Sequence, residues 1–505
     1  MTVLVPLLGN QLFPQHYFEP LRGARVLMVE DRELCSYVPH HQHKLVLVLA
    51  AMRAHAGMLV RAGFDVDYRR LDDTHNRGLW AAIEEHLTSV PQPRLRYFTF
   101  VGRRVRERLH GLARRCGAAL EEIENPMFLT SLAEFDAHLS RGRKPFLARF
   151  YRQVRADRGV LLEADGTPRG GRWSFDGDNR RPLPAALIPP RWPDGIADAH
   201  VGDCITLVSR EFPAHPGTAA DFAWPTTRAA ALGYLERFLS DCLPLFGTYQ
   251  DALSARSDGL YHSLLSPVLN IGLITPHEVL ARVLEHAARH DIPLNSLEGF
   301  VRQLLGWREF VRGIHERFGA EQARTNFWGH TRAPAPSWWD ASTGIPPLDD
   351  AIRLALKRGW NHHIQRLMVV GNLMLLAGIA PRPAYRWFMA LYVDAYGWVM
   401  EPNVYGMALY SDGGLFATKP YICASNYLLR MSDYARGPWC DTVDGLYWSF
   451  VQRHLAFFER QPRLRVMTAT LARMDAARRE RIFGLAQTFR ETHTRPFDRE
   501  CALGG

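Results

Sequence analysis

The sequence predicts an α/β N-terminal domain, with a parallel sheet and crossover helices, followed by an all-α C-terminal domain. Three observations predict it. Short apolar runs separated by a helical pattern fill residues 1–130. Residues 131–230 are rich in Pro, Gly and Arg. Helical periodicity dominates 231–505. A chain of 505 residues is too long for one ordinary core, so more than one domain is the starting expectation.

Taken in order, the apolar runs are Val3–Leu8, Arg25–Val29, Asp65–Tyr68 and Arg96–Phe100. His41–Ala62 reads as a helix closed by Gly63. Strands that alternate with helices favour a parallel sheet. No G-x-G-x-x-G follows the first strand, so the dinucleotide fingerprint is absent. The stretch 131–230 reads as a long connection over the surface. Gly170-Gly171-Arg172-Trp173 and Pro189-Pro190-Arg191-Trp192 mark its turns, and some helix is expected near Phe146–Arg155. Ten of the thirteen tryptophans lie beyond residue 220, where they could pack a core or pass electrons.

Composition narrows the class. With 47% hydrophobic and 22% charged residues the chain reads as a soluble globular protein. No apolar run reaches the ~18 residues of a membrane span, so no membrane partner is expected. Met1-Thr2-Val3-Leu4-Val5-Pro6 reads as a first strand rather than a signal peptide. The net charge of +9 is compatible with phosphate backbones but does not require them. The seven cysteines, Cys35, Cys116, Cys204, Cys242, Cys423, Cys440 and Cys501, form no C-x-x-C pair. That fits a reducing cytoplasm.

Three longer segments and four short ones carry candidate chemistry. His262-Ser263-Leu264-Leu265-Ser266-Pro267 precedes an apolar run and can open a helix, whose exposed N–H groups would suit a pyrophosphate; a plain cap is the other reading. Gln303-Leu304-Leu305-Gly306-Trp307-Arg308-Glu309-Phe310 reads as an amphipathic helix. Asn361-His362-His363-Ile364-Gln365-Arg366-Leu367-Met368 puts two imidazoles and an arginine at the start of an apolar helix running to Gly378, with Pro381 beyond as a stop. Ile364, Leu367 and Met368 mark its buried face, and His363 and Arg366 can share another. Asp394-Ala395-Tyr396, Pro402-Asn403, Thr418-Lys419-Pro420-Tyr421 and Arg430–Tyr434 follow in short order.

That order resembles the bacterial branch of the photolyase/cryptochrome family, which includes (6-4) DNA photolyases. The resemblance extends from Leu8-Gly9-Asn10-Gln11-Leu12 and Tyr37-Val38-Pro39-His40-His41 to Leu446-Tyr447-Trp448. It implies an antenna-type N-terminal domain and FAD bound among the C-terminal helices. The implied FAD contacts are His262, Ser263, Leu264, Leu265, Ser266, Gln303, Trp307, Arg308, His363, Arg366, Asp394, Tyr396 and Met400, with Arg308 facing either flavin or DNA. His362 becomes the acid, supported by His363, Tyr421 and Tyr427, because an imidazole titrates near neutrality. Lys419 becomes a DNA phosphate contact. Trp387 and Trp339 become the electron route from the surface, with Tyr396 a further aromatic candidate.

Four departures qualify those expectations. The relatives' 4Fe–4S cysteines align with Pro347, Ala435, Pro438 and Asp441, and Cys440 alone cannot hold a cluster, so no metal site is expected. Met400 stands where relatives carry a glutamate; a thioether cannot donate a proton, and Glu401 could compensate only if the backbone shifts. Phe388 replaces a tyrosine beside Trp387. Thr99-Phe100-Val101-Gly102 replaces an E-P-G-E-type segment, which argues against a lumazine antenna, although Glu30 and the upper end of the sheet could still offer a pocket. On these departures the reading leans toward a cryptochrome-like photoreceptor with an unknown signalling partner. The alternative is a light-driven (6-4) photolyase acting on damaged DNA with His362 as acid.

Overall fold

A computed structural model of the chain describes residues 3–497, apart from 141, 143, 194, 196 and 197. The expectations for Met1, Thr2 and Cys501 fall outside the described residues.

Five parallel strands form one sheet: β1 (Val3–Pro6), β2 (Arg25–Val29), β3 (Asp65–Arg69), β4 (Arg94–Phe98) and β5 (Ala119–Ile123). Their spatial order is β3-β2-β1-β4-β5. Register is fixed by pairs such as Val5↔Val26 and Leu95↔Leu120. The sheet therefore grows outward in both directions from β1, which creates a topological switch point between β1 and β4. The sequence reading missed β5, because this edge strand carries Glu121 and Glu122 and stays largely exposed. It also placed β4 two residues late.

The helix Gln42–Arg61 starts and stops where its end signals lie. His41 caps it, its Nδ1 accepting the His43 N–H, and Gly63 beyond it takes φ +83°. It is the one described helix long and apolar enough to cross a membrane, yet 72% of its most apolar window is buried inside the protein. Residues 131–230 hold more helix than expected: Leu132–Ser140, Leu147–Asp157 and Val201–Glu211. The last of these packs Cys204, Leu207 and Val208 against Leu45, Val46 and Leu49 of the helix Gln42–Arg61.

Helices make up most of the remainder. One apolar cluster runs from Val5, Val26 and Phe98 of the sheet through Trp224, Val268, Leu305 and Phe310 to Trp360, so the sheet and the helices share a core. A second cluster surrounds Leu367, Val369 and Leu373 with Trp338 and Trp387. Pro381 does not merely stop a helix: it sits in the first turn of the next one, Pro381–Leu391, where its missing N–H costs nothing. Among the described residues four stretches are wound as π-helix, namely Phe238–Cys242, Arg302–Trp307, Gln365–Gly371 and Glu401–Ala408. Such widened turns are uncommon and often accompany functional sites. Three of the four carry candidate-site residues singled out above: Gln303 and Trp307, Arg366, and Glu401.

Candidate functional site

The helix over 363–377 presents Arg366 from its π-wound part and ends at Gly378, φ +83°. The Arg366 guanidinium donates from both terminal nitrogens to Asp394, at 2.9 and 3.0 Å, and from Nε to the Asn361 carbonyl at 2.8 Å. It also lies 4.0 Å over the Tyr392 ring. Asp394 accepts a further bond from the Ser266 hydroxyl, at 2.6 Å, and its carbonyl accepts from Asn270. Asn270 in turn accepts from Arg308 at 2.6 Å. Ser266, Asn270, Arg308, Arg366 and Asp394 thus form one connected network, with Asn270 and Asp394 buried and the other three partly buried. The bidentate fork fixes its orientation.

Beside it stand the imidazoles. His362 is 3% exposed and stacks on His262, with centroids 4.8 Å apart and rings 10° from parallel. Among the described residues neither His362 nitrogen has a partner, and neither does His262 Nε2. Burial holds both rings neutral: it pushes His262 down to about 3 and His362 well below the usual range, with His262, His363 and Arg366 adding repulsion at His362. His363 is exposed by surface area, yet burial depresses it to about 4. Both hold if its ring borders a space walled by protein. Trp307 meets it edge-on at 6.0 Å.

The segment before Ser266 is strained: Leu260 and Leu264 take φ +47° and +57°, a region branched side chains rarely enter. Ser263 Oγ accepts the Leu265 N–H. Pro267 then opens the short helix Ser266–Ile271, which Gly272 closes at φ +88°. Gln303 and Trp307 lie half-buried on the π-wound Arg302–Trp307. Arg308 turns its guanidinium over Trp398, 4.7 Å away, and toward Phe128. Tyr421 and Tyr427 are half-buried, and burial raises both phenols. Lys419 is exposed.

Met400 is buried in the apolar core, and the neighbouring Glu401 spends its carboxylate on His315 Nδ1 at 2.8 Å. Trp339, 37% exposed, lies 6.3 Å from the fully buried Trp387. Trp387 next meets Phe388 at 5.4 Å and Tyr392 at 5.9 Å. Tyr392 touches Arg366 and donates its hydroxyl to Asn361 Oδ1. Tyr396 is not in this series; it lies against Lys44. The sequence reading missed Tyr392, although its place two residues before Asp394 was a usable signal. It also paired His362 with its chain neighbour rather than with His262, because a contact between residues 100 positions apart leaves no local pattern.

The residues fit a large polar–aromatic cofactor. Among the described residues, His262, His362 and Arg308 keep buried polar atoms without partners, His363 is exposed, and Arg366 is locked to Asp394. Elsewhere, no group of three or more His, Cys, Asp or Glu among the described residues could hold a metal ion. Cys440 is buried in the core and Asp441 pairs with Arg481. At the carboxyl end of the sheet a cleft of about 540 Å³ is lined by Glu30, Asp31, Asn76, Trp80 and Arg108. The Glu30 carboxylate there is already saturated by Arg53, Tyr68 and the Leu71 N–H.

A family model described as Deoxyribodipyrimidine photo-lyase-related protein matches residues 5–224. A "(6-4) photolyase" of Agrobacterium fabrum is 35% identical over 497 residues, 94% of this chain and 96% of that protein. Among solved structures, a bacterial class III photolyase from Agrobacterium tumefaciens superposes with TM-score 0.60 at 17% identity, covering 97% of this chain and 98% of that one. A Synechocystis cryptochrome superposes with TM-score 0.55 at 15% identity, with the same coverage. The two structures establish the fold.

Proposed function

The chain belongs to the photolyase/cryptochrome family, in its bacterial photolyase-related branch, and we propose that it is a FAD-dependent enzyme that repairs (6-4) lesions in DNA under blue light. One observation carries this reading. His362 is buried, held neutral and left without a hydrogen-bond partner on either nitrogen. An unpaired buried polar group costs about 1–3 kcal/mol, a cost most easily understood where a ligand supplies the partner. A base flipped out of DNA would be such a partner.

FAD would be held by His262 to Ser266, Gln303, Trp307, Arg308, His363, Arg366, Asp394, Tyr396 and Met400. Bound there, it supplies light absorption and the electron. The chain does the rest. Arg366, locked by Asp394, Asn361 and Tyr392, presents a fixed positive charge. His362, neutral in the protein alone, would take up a proton as negative charge arrives beside it and pass that proton to a flipped-out base. Tyr421 and Tyr427 border that base, and Lys419 holds a backbone phosphate. Trp339 and Trp387 conduct electrons inward, and Tyr392 continues their line.

Photoreception is the second reading. It is favoured by Met400, by Phe388 beside Trp387, and by Glu401, which is committed to His315. The test is direct. Reduced protein is mixed with DNA containing a (6-4) lesion, illuminated with blue light and assayed for restored thymines. Restoration that is lost in His362→Ala supports repair. No restoration, with flavin photoreduction that requires Trp387, supports photoreception.

A further inference from the structure

Lys44 is a buried cation that the site described above does not use. It lies on the helix Gln42–Arg61 of the sheet-bearing half and is 5% exposed. Its ammonium donates to the Ala395 carbonyl at 2.5 Å, lies 3.4 Å from His40 Nδ1 and sits 4.6 Å over the Tyr396 ring. None of these partners is an anion. The largest attraction it feels is to Asp394, one residue before the carbonyl that Lys44 grips. An ammonium taken from water without a counter-ion is costly, and a methylene chain would fill the same space more cheaply.

The neighbouring segment binds the same target. The His41 N–H donates to the Ala390 carbonyl at 2.7 Å, and His40 Nδ1 lies 3.4 Å from the Met389 carbonyl. His40 to Lys44 therefore clasp the stretch 389–396 from the sheet side, while Arg366, Ser266 and Asn270 hold it from the helical side. Only Lys44 brings charge to this clasp, and it does so behind Asp394.

We propose that Lys44 is a positioning residue of the cofactor pocket: reaching across from the sheet, it fixes the Asp394–Ala395–Tyr396 turn and sets the positive potential felt by the flavin. This rests on the reading that FAD binds beside Arg366 and Asp394. Two cations then face one carboxylate, and the surplus charge makes electron uptake by the ring easier.

The surplus is adjustable. Burial lowers Lys44 to about 7, against the opposing pull of Asp394 and Cys35. The other groups around it are fixed or neutral. Burial holds His40 well below the usual range, and its carbonyl is bound by His215; burial raises the Tyr396 phenol, which stays neutral. Lys44 is thus the one member of the clasp whose charge changes between pH 6 and 8.

The test uses the FAD-loaded protein, with the midpoint potential of the flavin measured from pH 6 to 9 in wild type, Lys44→Met and Lys44→Arg. At pH 6 Lys44→Met should be more negative than wild type, with the difference vanishing by pH 9. Lys44→Arg should stay above Lys44→Met throughout, since a guanidinium does not titrate there. Superimposable curves for wild type and Lys44→Met, both yellow, overturn the inference. If Lys44→Met does not fold, the comparison of wild type with Lys44→Arg decides: divergence above pH 7 supports the inference and coincidence overturns it. A wild type that retains no flavin sinks the underlying reading instead.

Discussion

Two histidine pairs open two apolar helices in this protein, and they are used in opposite ways. His40-His41 precedes Gln42–Arg61, and His362-His363 begins the helix over 363–377. His41 and His362 are both buried, at 0% and 3% exposure, and burial keeps both neutral. His41 has partners on both nitrogens: Nδ1 accepts the His43 N–H at 3.0 Å, and Nε2 lies 2.8 Å from the Leu356 carbonyl. His362 has none. Burial therefore does not distinguish a structural imidazole from a chemical one; the state of its hydrogen bonds does. A saturated ring is part of the scaffold. An unsaturated one carries a cost that a ligand can relieve.

The widest break in that contrast is chemical. His362→Ala should lower lesion repair about a hundred- to ten-thousand-fold, the usual share of a positioned acid. Flavin content and thermal midpoint should barely change, because no internal bond is lost. A variant that repairs normally, or one that loses its flavin, would move His362 from acid to scaffold.

His41→Ala should do the reverse. It removes a helix cap, worth about 1 kcal/mol, and leaves a buried carbonyl unpaired, worth about 1–3 kcal/mol. Urea unfolding should show a loss of roughly 2–4 kcal/mol, while repair per folded molecule stays unchanged. Loss of repair without loss of stability would erase the distinction between the pairs.

The same contrast predicts a pH dependence. Burial lowers His41 to about 3 and His43 to about 4. Below the ordinary histidine value near 6.5 the unfolded chain binds protons that the folded rings refuse, so stability is full above that value and falls as pH drops through it. At pH 6 these two rings together should cost about 2 kcal/mol relative to pH 8. His41→Ala should flatten the curve by about half that amount. A wild-type curve level between pH 8 and 5.5 would show that the two rings can charge in place.

How much of this was legible depended on whether the signal was local. The cap at His41 and the stop at Gly63 bracketed their helix, because both act within one turn. The edge strand Ala119–Ile123 escaped because an exposed strand has no apolar run to betray it. The helix Val201–Glu211 escaped because Pro- and Gly-rich neighbours masked it. At the site, Arg366 and Asp394 were paired only through resemblance, since 28 residues separate them. The His262–His362 stack, the π-wound turns and the Lys44 contact all depend on how distant segments meet, and no spacing rule reports that.

The smallest expected effect tests whether DNA approaches the His362 pair at all. Lys419 and Lys357 are both exposed, but Lys357 reaches Asp258 at 3.0 Å, whereas Lys419 follows Thr418 in the segment leading to Tyr421. A lysine that neutralises one phosphate releases about one counter-ion, so Lys419→Ala should reduce the slope of log affinity against log salt by roughly 0.9 and weaken binding a few-fold for damaged and undamaged duplex alike. Lys357→Ala, whose charge is already met by a carboxylate, should leave the slope unchanged. Equal slopes in Lys419→Ala and wild type would mean that phosphates do not reach this edge, and the unsatisfied imidazoles would then need a ligand other than a base in DNA.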